Sequence, residues 1–168
     1  MVYDEHMINS IKERMVKAGK TVSVAESVTA GHLQAALSAA VEASTFFQGG
    51  ITAYNLGQKC RHLGVEPIAA DECDCVSEEV ARQMARGVNR LFSSDYGIAI
   101  TGYATPMPEK GLNDTFAYFA IAKGDEILLS KRITTTEERV EGQMDYCNTV
   151  LQAFEKLLME SESVPRAV

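Results

Sequence analysis

No stretch of the 168 residues approaches the 18 consecutive apolar side chains expected of a membrane helix, and the opening MVYDEHMINSIKERM is charged from the start. Neither a transmembrane span nor a signal peptide is therefore expected. Positive charge is scarce too: 16 basic against 23 acidic side chains leave a net charge of −7. Sequence-independent binding of nucleic acid needs a basic footprint, so that class is set aside, whereas a local site for a phosphorylated small molecule is not. Histidine is limited to His6, His32 and His62, none beside a serine with an acid partner in view, so nothing points to a Ser-His-Asp triad. The four cysteines show no small-secreted-domain pattern, which suits free thiols in a reducing cytoplasm. Cys60-Arg-His62 and Cys73-Asp-Cys75 have C-x-H and C-x-C spacing rather than the C-x2-C knuckle of structural zinc sites. Buried or free thiols are the preferred reading, and no metal or organic cofactor is expected. Internal repeats, linkers and low-complexity tracts are absent as well.

What is present is an ordinary globular composition, 46% hydrophobic and 23% charged, in a chain long enough for one domain with its own core. Met7, Ile8, Ile11, Met15 and Val16 repeat at helical spacing over residues 5 to 18, ahead of a capping Gly19. TVSVA (21–25) reads as a strand, about Ala30 to Ala40 as a buried helix, FQGGITAY (47–54) as a strand, and 57–63 as a short helix or turn. In VSEEVARQMARGVNRLF, Ser77 caps a helix whose first turn carries Glu78 and Glu79. YGIAITG (96–102) is a buried strand, TFAYFAIA and EILLSKRIT form a hairpin around Lys123–Asp125, and a last helix covers about Glu137 to Met159. The expected fold class is α/β: a three-layer α/β/α sandwich with a mixed, mostly parallel sheet, one domain over 1–160 and a frayed tail at 161–168.

Three segments carry candidate chemistry. In VAESVTAGH, Ser27, Thr29 and Gly31 lie between a strand and a helix, where helix N–H groups bind anions in open α/β sheets; an N-cap with a turn glycine is the plainer reading. In STFFQGGITAYNLGQK, Ser44, Tyr54 and Lys59 offer a nucleophile, a proton relay and a base, the lysine serving as base only if its pKa is pulled down. Ten residues of unbroken strand would hold Ser44 and Tyr54 about 33 Å apart, so this set needs a bend or a second subunit, and a surface serine with a solvated lysine is the plainer alternative. In AITGYATPMPEK, Thr101 and Gly102 end a strand on the ligand-facing rim, or simply make a turn.

SVAESVTAGHLQAALS, FFQGGITAYNLGQKCRHLGV, VSEEVARQMARGV and YGIAITGYATP occur in that order, and together they resemble the C-terminal domain of the CinA (competence/damage-inducible) family over about residues 5 to 160. Standalone members of that family are nicotinamide mononucleotide deamidases. The resemblance thus implies an amidohydrolase that forms nicotinate mononucleotide and ammonia, with a small-molecule mononucleotide as partner and a homodimer as its assembly. It implies Ser44 as nucleophile, Lys59 as base, Tyr54 as relay, and Ser27, Thr29, Gly31, Thr101 and Gly102 as substrate-binding positions.

The chain also departs from the family. Val28 and Ala30 stand where E-S-C-T-G-G has cysteine and glycine, MPEKGLNDT replaces a longer glycine-rich run ending K-P-V-G-T, and Glu137 and Glu141 stand where two arginines are usual. A diverged, catalytically silent paralogue that binds a nucleotide or a protein is the alternative these departures raise. If an arginine there holds the substrate phosphate, then unless Arg139 reaches the same place nicotinamide mononucleotide binds this chain about ten- to a hundredfold more weakly than it binds arginine-bearing relatives, from a charge-assisted hydrogen bond of about 1.5–3 kcal/mol. Titration calorimetry on Glu137→Arg and Glu141→Arg should show part of that affinity restored; unchanged binding in both means the phosphate is held elsewhere.

Overall fold

The computed structural model describes residues 3–163. Helix α1 (Glu5–Ala18) starts where the Asp4 carboxylate accepts from the Met7 N–H, and it ends on a left-handed Gly19. Strand β1 (Val22–Glu26), helix α2 (His32–Ser38), strand β2 (Phe47–Thr52), and helices α3 (Leu56–Leu63) and α4 (Pro67–Glu72) follow. Helix α5 (Glu78–Phe92) starts on Ser77, whose hydroxyl accepts from the Val80 N–H. Strands β3 (Tyr96–Gly102), β4 (Thr115–Lys123) and β5 (Glu126–Thr135) and helix α6 (Arg139–Ser163) complete the chain. The last helix therefore runs past the expected domain end at residue 160, and 164–168 of the expected tail lie outside the described residues. Helix α4 has no counterpart in the sequence reading; its six residues are too few to show helical periodicity.

The sheet has five strands in the order β2-β1-β3-β4-β5. β2, β1 and β3 are parallel, β4 runs against β3, and β5 runs against β4, so β4 alone opposes the common direction. The expected three-layer sandwich is the observed fold. Strand alternation sorts the core into two halves. Val22, Val24, Ile98, Ile100, Phe119 and Ile121 face α1, α2 and α6 on one side. Ala25, Ala99, Ala120 and Ala122 face α3 and α5 on the other. The alanines on that second face let helices approach closely. Gly97 of β3 shows how closely, because a Cβ there would stand 2.2 Å from the Ala85 carbonyl oxygen of α5.

The same alternation aims Glu26 at α2, and this residue organises the β1–α2 turn. Its side chain is fully buried. The carboxylate accepts from the Thr29 hydroxyl at 2.6 Å and from the N–H groups of Gly31, Leu33 and Gln34 at 3.1, 3.0 and 2.8 Å. An anion therefore does sit at this helix N-terminus, as helix geometry favours, and it is the chain's own carboxylate. Replacing Glu26 with alanine leaves a hydroxyl and three N–H groups without their acceptor in a buried turn. Urea unfolding should show Glu26→Ala less stable by about 3 kcal/mol with an unchanged m-value, and Thr29→Val less stable by about 1 kcal/mol.

Candidate active site

The carboxyl ends of the parallel strands form the rim where open α/β sheets hold ligands, and there the structure brings a lysine to a serine. Ser27 follows β1 directly and is buried. Lys59 lies on α3, a helix that starts on Asn55, whose side chain accepts from the Gln58 N–H. Lys59 is 1% exposed, and its Nζ hydrogen-bonds the Ser27 Oγ at 2.9 Å. Desolvation pushes the Lys59 pKa down, while Cys75, Asp74 and Cys60 act the other way by favouring the ammonium. A long side chain buried around a single amine, with a hydroxyl as its bonded neighbour, disfavours the charged form. In the ammonium form Nζ donates to Oγ. Once the amine is neutral, its lone pair can take the hydroxyl proton.

Both groups open onto a cavity of about 320 Å³ whose wall also includes Tyr54, Asp74, Gly102, Tyr103 and Lys110. Asp74 comes from the α4–α5 connection, and Tyr103 and Lys110 come from the loop that follows β3. The Asp74 carboxylate accepts from the Tyr103 hydroxyl at 3.2 Å and from the Lys110 ammonium at 3.3 Å. Burial, reinforced by Asp74, pushes the Tyr103 phenol up to about 12, so it remains a donor at neutral pH. The loop is pinned from behind, where the Tyr146 hydroxyl donates to the Tyr103 carbonyl at 3.1 Å and the Arg139 N–H donates to the Ala104 carbonyl at 2.7 Å.

The expected residues divide into those the cavity gathers and those it does not. Lys59, Tyr54, Ser27 and Gly102 line it. Ser44 does not: it is exposed in a 3-10 turn (Ala43–Thr45) before β2. β2 runs parallel to β1, so the roughly 17 Å from Phe47 to Thr52 puts Ser44 at the opposite rim from Lys59 within one chain. β2 bulges at Gln48, where the pairing with β1 passes from Val22–Phe47 to Ser23–Gly49, but the strand continues to Thr52 and does not turn Ser44 back toward Tyr54. The base expected for Ser44 is bonded to Ser27 instead. Tyr54 is 68% exposed at the rim of the cavity, and among the described residues Ser27 is the side chain hydrogen-bonded to Lys59. Thr29 and Gly31 turn inward to Glu26, and the buried Thr101 hydroxyl donates to the Cys75 carbonyl at 2.8 Å. These three hold the turns behind the cavity. Gly102 has a packing reason of its own, since a Cβ there would meet the Ala117 Cβ at 2.4 Å.

Asp74, Tyr103 and Lys110 escaped the sequence reading. Tyr103 and Lys110 lay inside a segment already singled out, and their distance from Asp74 in the chain gave no pattern. Among the described residues no group of three or more His, Cys, Asp or Glu is arranged to hold a metal. His62 bonds Gln58, and the Cys73 thiol donates to backbone carbonyls of its own helix. Nor is any helix of the described residues long and apolar enough to cross a membrane.

Known proteins share the sequence pattern and the fold. Residues 4–158 match the family model described as the CinA C-terminal domain. A CinA-like protein of Chlorobium chlorochromatii is 35% identical over 156 residues, covering 91% of this chain and 37% of that protein. Another, from Rippkaea orientalis, is 41% identical over 103 residues, 61% of this chain and 25% of that protein. The chain thus spans about a quarter to a little over a third of the length of such relatives. Among solved structures, a competence-damaged protein (CinA) superfamily protein from Klebsiella pneumoniae superposes with a TM-score of 0.87 at 25% identity, covering 93% of this chain and 98% of the other. One from Enterobacter cloacae gives 0.85 at 27% identity and covers 90% of each chain. With the family model matched along almost its whole length, the chain belongs to the CinA family, of which it represents the C-terminal domain.

Proposed function

We propose that the chain is an amidohydrolase converting nicotinamide mononucleotide to nicotinate mononucleotide and ammonia, with Ser27 as nucleophile and Lys59 as base. The observation that carries the chemistry is the buried Lys59 amine 2.9 Å from the Ser27 hydroxyl on the wall of an open cavity. The substrate follows from the resemblance of the four sequence blocks to standalone CinA-type deamidases. Their Ser-Lys chemistry is kept here, with the serine supplied by the β1 rim instead of residue 44.

In the proposed reaction, the neutral Lys59 amine takes the Ser27 proton as Oγ attacks the amide carbon. We assign the Val28 N–H, next along the chain on the same wall, to the developing oxyanion. The tetrahedral species collapses, the C–N bond breaks, and the Lys59 ammonium returns its proton to the leaving nitrogen, which departs as ammonia. Water then attacks the acyl-serine with Lys59 again as base. The carboxylic acid leaves and Ser27 is regenerated. These residues lie within one chain, so the homodimer expected from the resemblance is a matter of assembly in this proposal, not a requirement of the chemistry.

Ammonia release from nicotinamide mononucleotide tests the reading. Ser27→Ala and Lys59→Met should each lower the rate about a thousandfold or more, and Lys59→Arg should not restore it, because a guanidinium stays protonated. Ser44→Ala should leave the rate unchanged. Loss of activity in Ser44→Ala together with retention in Ser27→Ala overturns the assignment. An inactive folded protein favours the silent paralogue, in which Glu137 and Glu141 replace the family's arginines.

The pH profile provides a second check. Lys59 works only when neutral and its pKa is lowered by burial, so the rate should rise with pH and level off below the ordinary lysine value of 10.5. A rate that still climbs through 10.5 would mean an ordinary solvated lysine.

A further inference from the structure

We propose that Asp74 is a specificity-determining residue, selecting substrates whose amide is borne on a positively charged ring. The inference rests on the amidohydrolase reading of the same cavity and goes beyond it to say what distinguishes the accepted ring from a neutral one.

Three features of Asp74 set it apart. First, its carboxylate is on the cavity wall that also carries Ser27 and Lys59. Second, its backbone is unusual. Asp74 and Cys75 are consecutive non-glycine residues in the left-handed region, with φ of 52° and 60°. Aspartate tolerates this region, whereas Cys75 is held in it by its surroundings. Here the Cys75 N–H donates to the Ala70 carbonyl at 2.7 Å, and the Thr101 hydroxyl donates to the Cys75 carbonyl at 2.8 Å. Third, the fold gains little from the charge itself. The pair with Lys110 is exposed, with 53% and 61% of the two side chains accessible, and such pairs contribute little to stability. A turn fixed by its own backbone hydrogen bonds, holding at a cavity a carboxylate whose charge adds little to stability, is what ligand recognition calls for.

The neighbours indicate the ligand's chemistry. Tyr54 and Tyr103 line the same cavity, and aromatic faces beside a carboxylate suit a flat cationic ring. The Tyr103 hydroxyl donates to Asp74 and fixes the carboxylate's orientation. Lys110 pairs with Asp74, and a substrate with a cationic ring and an anionic tail would replace that contact with two: ring to Asp74, tail to Lys110. Deamidation puts a new carboxylate on the ring, and repulsion from Asp74 then favours release of the product.

Calorimetric binding of nicotinamide mononucleotide and of its 1,4-dihydro form tests this. The two share amide, ribose and phosphate and differ in ring charge. Asp74→Asn is the informative variant, because asparagine tolerates the left-handed backbone as aspartate does. The unmutated protein should bind the oxidised form about tenfold more tightly than the reduced one, the scale of one exposed charge contact. Asp74→Asn should lose that preference by weakening the oxidised form alone. If the oxidised form binds and is hydrolysed but the preference survives in Asp74→Asn, or is absent from the unmutated protein, the role of Asp74 is overturned and the amidohydrolase reading stands. If neither form binds the unmutated protein, both are overturned.

Discussion

Everything at the rim of this sheet is arranged around a lysine amine held out of water. A lysine side chain ordinarily keeps its ammonium in solvent, and burying it has an energetic cost that the charged form bears. The fold meets that constraint by packing α3 against α5 and α4 at the rim, where Lys59 reaches the serine that follows β1. Asn55 caps the helix at its start, and Gly87 of α5 lets the helix end pack against backbone. The linkage has a definite sign. A lysine with a lowered folded pKa binds fewer protons folded than unfolded between that value and the ordinary one. Stability from this group therefore rises with pH across that window and is smallest where the ammonium is forced to remain buried. Lys59 thus costs stability at neutral pH, as expected of a residue kept for chemistry.

A second buried charge does the opposite service a few residues away. Glu26 gathers the donors of the β1–α2 turn, so the helix N-terminus that sequence reasoning offers to a substrate anion is already filled from within. The turn is rigid as a result, and Ser27, the next residue, inherits a fixed position facing Lys59. Ligand-facing polarity passes to the other wall, where Asp74, Tyr103 and Lys110 stand.

The fold was largely legible from the sequence because its signals are local. Gly19, Ser77 and the alternating apolar strands mark elements within a residue or two of where they form. Of the cavity wall, Ser27, Tyr54, Lys59 and Gly102 were already named from the sequence. The pairing of Lys59 with Ser27 was not, since it joins positions 32 residues apart through a parallel strand crossover that no spacing rule reports. Ser44 was attractive for its place in a motif, yet the direction of β2 carries it to the far rim. Asp74 gave no signal because its partners Tyr103 and Lys110 lie 29 and 36 residues away in the chain.

The most direct measurement is the titration of Lys59 itself, followed by NMR through the side-chain Cε resonance, with Lys59→Met supplying the assignment. A midpoint below 10.5 that moves when Ser27 is replaced by alanine is the result expected of a buried amine bonded to that hydroxyl. A midpoint at or above 10.5, indifferent to Ser27, would mean that the lysine is solvated and that the serine has no base.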